Sequence, residues 1–168
     1  RVFANARAAP RALVAQRVRV TSGEEETQTV LLEEGFDPRR EAVVERGAEG
    51  TGALGAPEEL ARGSSGTVSV TDRSSSSVAI RARLERPGLV VLNDSFAPGW
   101  SVKVDGRDAA LVRVNDVMRG VAVGAGAHEV EWRYRVPGLR AGAALSAFGL
   151  MLFLALAGVL LRRSRARV

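Results

Sequence analysis

HEVEWRYRVPGLRAGAALSAFGLMLFLALAGVLL, residues 128–161, changes its period once, at Pro137-Gly138. Before that pair, Val130, Trp132, Tyr134 and Val136 alternate with Glu129, Glu131, Arg133 and Arg135, the two-residue period of a half-buried strand. After it, residues 141–161 form a run of 21 residues without a charge, in which Ser146 is the sole polar side chain. As a helix that run spans about 31 Å, the thickness of a bilayer's hydrocarbon core. A helix of this length with no polar face is not the core helix of a soluble domain. The stretch therefore predicts a β domain handed directly to a transmembrane helix, with residues 137–140 alone between them.

On the C-terminal side, Arg162, Arg163, Arg165 and Arg167 follow the apolar run at once. Short basic loops stay in the cytoplasm, so the tail 162–168 is expected there and residues 1–140 outside. Four of the 24 basic residues lie in the tail, leaving 20 against 19 acidic groups, so the net charge of +5 is largely an anchor effect. It gives no ground for nucleic-acid binding. Gly142, Ser146 and Gly149 fall at i, i+4 and i+7 and suit close approach of another helix in lipid. The chain opens at Arg1 with no signal peptide, and an outward-facing domain needs an entry signal. The expectation is a C-terminal portion of a longer polytopic protein, whose other transmembrane helices are its partners together with the bilayer.

On the N-terminal side, residues 12–20 read as a strand, with Val14, Val18 and Val20 set against Arg17 and Arg19. Thr21 or Ser22 is placed to cap a short helix that starts at Glu24, Glu25 and Glu26 and turns Val30, Leu31 and Leu32 inward. A short strand follows at 42–45. These elements make an N-terminal part, 1–45, of the extracytoplasmic domain. Residues 46–66 are rich in Gly, Ala, Glu and Ser and predict a flexible loop. Within it Gly50, Gly52 and Gly55 satisfy G-x-G-x-x-G, but Pro57 and Gly63 follow and no βαβ unit does, so the pattern is a loop and not a nucleotide site.

From Thr67 to Gly138 the period is two throughout. Val78, Ile80, Ala82 and Leu84 make one clean strand. Leu89 to Leu92, apolar on both faces, make a central one. Asp105-Gly106, Asn115-Asp116 and Gly124-Ala125-Gly126 mark turns between further strands. Six or seven short strands at this spacing describe an antiparallel β-sandwich with its core at 67–138. The expected fold is thus mainly β: an antiparallel sandwich outside the cytoplasm, a short N-terminal helix, and one C-terminal transmembrane α-helix over 139–161.

Few chemistries are open to these residues. There is no cysteine, and His128 is the single histidine, so a His- or Cys-rich metal site is excluded and a Ser-His-Asp triad would have to use His128. No catalytic constellation and no cofactor are expected. The Asn93-Asp94-Ser95 sequon matters only in a glycosylating host. One cluster carries recognition chemistry: Asp94, Phe96 and Trp100 within NDSFAPGW, residues 93–100. Aromatic rings stack on pyranose faces, and carboxylates grip hydroxyls. The competing reading is a tight Pro98-Gly99 turn that feeds Trp100 into the core. Asn115, Asp116 and Arg119 form a second polar loop. These six residues are the candidate glycan contacts.

The ordered set LVVLNDSFAPGWSVKVDGRDAALVRVNDVMRGVAVGAG (89–126) and HEVEWRY (128–134) resembles the C-terminal region of the bacterial membrane protein YfhO family. The shared order runs from an apolar strand through a D-S-aromatic turn, a P-G-W, a V-D-G hairpin and an R-x-N to a last strand and membrane helix. Pro10-Arg11-Ala12 resembles the P-R-A that opens the family's tail region. The resemblance implies a relation to the GT-C class of polytopic glycosyltransferases, which take sugars from polyprenyl-phosphate donors outside the cytoplasm. In that class the catalytic carboxylate lies near the first spans, so no catalytic residue is carried over to this chain. Three functions remain open: an accessory domain of such an enzyme, with a glycan or a polyprenyl-phosphate sugar as ligand; a non-catalytic envelope module binding glycan or protein; and a structural or transport-associated lid.

Overall fold

Over residues 8–47 and 64–165, which the computed structural model describes, eleven strands and two helices follow one another. They are β1 (Ala12–Val14), β2 (Arg17–Thr21), α1 (Glu24–Leu31), β3 (Glu41–Glu45), β4 (Gly66–Ser74), β5 (Ser77–Leu84) and β6 (Gly88–Ser95). Then come β7 (Trp100–Val104), β8 (Arg107–Ala109), β9 (Val112–Val114), β10 (Met118–Val123), β11 (Gly126–Tyr134) and α2 (Leu139–Arg165). Most of the glycine-rich segment expected at 46–66, with its G-x-G-x-x-G, lies outside the described residues. The chain divides into two units, residues 1–135 and 136–168.

The first unit is mostly β. One sheet has the order β1-β6-β10-β9 and a second the order β4-β5-β11-β7-β8, and every pairing within them is antiparallel. Ala12, Val14, Val90, Leu92, Val121 and Val123 of the first sheet face Ile80, Ala82, Val102, Val130 and Trp132 of the second across one apolar core. This is the expected sandwich. β6 sits between β1 and β10 and is buried on both faces, as its unbroken apolar run implies. Its other face, Leu89 and Val91, joins Leu13, Val18, Ala42, Val44, Val112 and Val114 in a second core.

Two strands that read as continuous are broken in the fold. Residues 12–20 divide at Ala15-Gln16: β1 pairs with β6, whereas β2 pairs in parallel with β3. A parallel pair needs a crossover, and α1 supplies it. The stretch around Ala110 likewise leaves one sheet as β8 and enters the other as β9. Neither switch breaks the two-residue period, so alternation cannot reveal it. α1 also differs from expectation. Gly23 is its N-cap, and Ser22 donates its backbone N–H to Glu26, 2.7 Å away. Thr27 and Val30, three residues apart, bury one face, which sends Leu32 outward at 84% exposure.

The turns match their chemistry. Asp105 (φ 50°) and Gly106 (φ 78°) both take the left-handed conformation required by a two-residue hairpin loop, here between β7 and β8. Asn115 (φ 48°) and Asp116 (φ 65°) also take that conformation, without glycine, in the three-residue connection 115–117 between β9 and β10. Asn115 is held there because its N–H donates to the Val43 carbonyl at 2.8 Å while its Oδ1 accepts the Val43 N–H at 2.7 Å.

In the second unit, α2 has 27 residues, and its 139–156 portion is long and apolar enough to cross a membrane. Phe148, Leu152 and Phe153 are all at least 60% exposed, the surface a lipid solvent would cover.

Candidate ligand cleft

On β10 the residues Val123, Val121 and Arg119 share one face, so the two-residue period sets a guanidinium at a core position. A bulge makes this tolerable. Arg119 pairs with Leu92 but Met118 with Ser95, leaving Asn93 and Asp94 as extra residues on β6. Asn93 donates its backbone N–H to the carbonyl of Arg11 at 2.8 Å, which brings the residue before β1 alongside.

The Asp94 carboxylate then serves two arginines. Its Oδ1 accepts from Arg11 Nε at 3.2 Å, and its Oδ2 accepts from Arg11 Nη2 at 2.9 Å and from Arg119 Nη2 at 3.0 Å. Arg119 is 2% exposed, and its Cζ lies 3.7 Å from the centroid of the Trp100 ring, a close cation–π stack. Tyr134 braces that ring at 5.2 Å with a 46° tilt. Burial pushes the Arg119 pKa down from its usual value; Asp94 opposes this and the charge of Arg11 reinforces it. Arg11, Asp94, Trp100, Arg119 and the hydroxyl-bearing Ser74 and Ser75 line a cleft of about 430 Å³.

Three of the six expected contact residues, Asp94, Trp100 and Arg119, thus meet in one place. The fold separates the others. Phe96 lies under the guanidinium of Arg113, 5.2 Å from its ring centroid. Asn115 is buried, its side-chain oxygen committed to Val43. Asp116 fills the second position of the β9–β10 turn. Arg119 therefore leaves the polar loop it was grouped with and joins the Asp94 cluster. Trp100 does more than enter the core as a turn-fed aromatic, since one face of its ring carries Arg119. Sequence reasoning missed Arg11, which no local pattern links to Asp94. A signal for Arg119 existed: a charge in phase with Val121 and Val123.

A second hollow, of about 400 Å³, lies over β4, β5 and β11 among Thr67, Arg81, Arg83, His128 and Glu129. Among the described residues, buried side-chain polar atoms without a partner occur on Asn93, Arg119 and Trp132 and on none of that lining. This contrast sets the Arg119 cleft apart.

At the edge of that hollow, His128 Nδ1 is 2.7 Å from Asp105 Oδ2 and Nε2 is 3.2 Å from the Ala125 carbonyl. Two acceptors facing the two ring nitrogens suit the imidazolium, which donates twice, and leave no nitrogen to take a serine proton. The Asp105 hydrogen bond raises the His128 pKa above its ordinary value of about 6.5. The Glu129 N–H and then His128 hold Asp105 below its own ordinary value. The His128 contribution to stability is complete below about pH 6.5 and is lost as pH rises through the higher folded value. The Asp105 contribution disappears only in acid, as pH falls through its depressed value. Thermal unfolding of the first unit is expected at lower temperature at pH 8.5 than at pH 6, with the difference abolished in His128→Gln. The Cε1 proton of this single histidine should titrate above 6.5 by NMR; a midpoint below 6.5 would contradict the pairing.

The family model for bacterial membrane protein YfhO matches residues 59–146. The match holds Asp94, Trp100 and Arg119, together with β4 to β11 and the start of α2, but not Arg11. It does not extend to Pro10-Arg11-Ala12, which the resemblance read from the sequence included. No curated protein and no solved structure matches the chain. With more than half of its residues inside that match and an apolar helix able to cross a bilayer, the chain belongs to the YfhO family of bacterial membrane proteins.

Proposed function

We propose that residues 8–135 form an extracytoplasmic accessory domain of a GT-C-like membrane glycosyltransferase, anchored by α2 and contacting the glycan in the cleft. The observation that carries this reading is the convergence of Asp94, Trp100 and Arg119, from three separate strands, around a 430 Å³ opening within the family-matched region. A carboxylate and a braced aromatic at one concave site are the groups a sugar needs for hydroxyl contacts and an apolar wall. Arg162, Arg163, Arg165 and Arg167, which follow the apolar run, support a cytoplasmic tail and an outward-facing first unit. Other membrane spans of the parent protein are the proposed partners of the Gly142, Ser146 and Gly149 face.

The test is a fluorescence titration of the chain in non-ionic detergent with neutral cell-envelope oligosaccharides. A Trp132→Phe background makes Trp100 the single reporter. Saturable change is expected, and Asp94→Asn should weaken it about tenfold, the worth of one charge-assisted hydrogen bond. A flat titration up to millimolar ligand would contradict the glycan reading and favour a bracing role.

A further inference from the structure

We propose that the cleft is an oxyanion site, in which the in-plane N–H groups of Arg119 receive a phosphate or carboxylate group of the ligand. The inference goes beyond the glycan reading and rests on it only for the location of the cleft. A glycan that meets both requirements carries an acidic group.

Three observations support this. First, Arg119 is 2% exposed, yet its Nε and Nη1 have no hydrogen-bond partner. A guanidinium that merely braces a core has its N–H groups satisfied, because orphaned buried donors are costly. Second, the Trp100 ring covers one face of the guanidinium at 3.7 Å, and the unpartnered Nε and Nη1 donors point outward in the plane of the group, along its edge. Edge-on approach is the geometry in which arginine grips a planar or tetrahedral oxyanion. Third, the described lining carries two guanidinium groups, Arg11 and Arg119, for the single carboxylate Asp94. Ser74 and Ser75 line the same cleft, with the Ser74 hydroxyl 3.0 Å from Ser77 Oγ. A neutral hydroxyl oxygen accepts from two donors at most; an oxyanion accepts from several and carries the charge opposite to the guanidinium.

Asp94 occupies part of the site as an internal anion, so its removal gives a signature that glycan gripping does not. The experiment is titration of the chain in non-ionic detergent, at low ionic strength in a phosphate-free buffer, with inorganic phosphate. Wild type is expected to bind saturably, and Asp94→Asn about tenfold more tightly, because a like charge leaves the cleft. Arg11→Gln, at a half-exposed position outside the core, is expected to weaken binding about tenfold. Arg119→Lys, which keeps the charge but loses the fork, should abolish it while circular dichroism confirms the fold. Neutral oligosaccharide titrations run in parallel, and Asp94→Asn moves those in the opposite direction.

Phosphate binding with flat oligosaccharide titrations would leave the oxyanion site standing and remove the glycan reading. Oligosaccharide binding with no phosphate response in either wild type or Asp94→Asn would overturn the oxyanion site and leave the glycan reading. Competition identifies the source of the group. Displacement of phosphate by soluble glycerol-phosphate oligomers marks a polymer, and displacement by phosphatidylglycerol but not phosphatidylcholine, each added as mixed micelles, marks a lipid headgroup.

Discussion

Asp94→Ala lowers the stability of the first unit by about 3 kcal/mol, the low end of the cost of stranding one partner of a buried ion pair. The guanidinium of Arg119, its side chain 3% exposed, then keeps its charge with no counterion at 3.0 Å and with Arg11 still nearby. Asp94 itself is 24% exposed, so water partly replaces it, and this holds the cost at that end of the range. The Trp100 stack is present in both proteins and so leaves the difference unchanged. The decisive control is the double variant Asp94→Ala with Arg119→Met, which removes the stranded charge and is expected to regain most of the stability. Thermal or denaturant unfolding of all four members of the cycle in detergent gives the coupling directly. A single-variant loss under 0.5 kcal/mol would show that the pair does not hold the cleft.

The second large effect lies in the sandwich itself. Trp132 is fully buried on β11, opposite Val78 on one side and Val102 on the other. Trp132→Ala is expected to cost about 4 kcal/mol through lost transfer energy and the cavity left behind. That is a large share of the 5–15 kcal/mol typical of a domain. Trp132→Phe should cost far less, about 1–2 kcal/mol, because the indole Nε1 has no hydrogen-bond partner to lose and the volume change is small. Loss of near-ultraviolet dichroism and a shifted unfolding midpoint read both. Equal costs for the two substitutions would point to the indole N–H, not to packing.

These particulars show what the chain made legible. Alternation at Val78 to Leu84 and Val130 to Tyr134, the Asp105-Gly106 turn and the apolar run after Arg140 are local signals, and each led to the element observed. The sheet switches at Ala15-Gln16 and Ala110-Leu111 were not legible, because which sheet a strand joins depends on long-range pairing and leaves the two-residue period unchanged. The site divides in the same way. Asp94 and Trp100 share one short segment and were visible as a pair. Arg119 was visible as a residue but assigned to the wrong neighbours, because the β6 bulge that brings it to Asp94 is a register event between distant strands. Arg11 lies 83 residues from Asp94 and has no local signature.

The account depends most on which side of the membrane the first unit occupies, because a cytoplasmic domain cannot meet sugars or envelope polymers on the other face. The chain has no cysteine, so single introduced cysteines report cleanly. The measurement is labelling of intact cells with a membrane-impermeant maleimide, using Ala125→Cys in the exposed turn before β11 and Ser164→Cys after the apolar run. Labelling at Ala125→Cys in intact cells, and at Ser164→Cys only after permeabilisation, is the predicted result. The reverse pattern would place the cleft in the cytoplasm and contradict the proposed function.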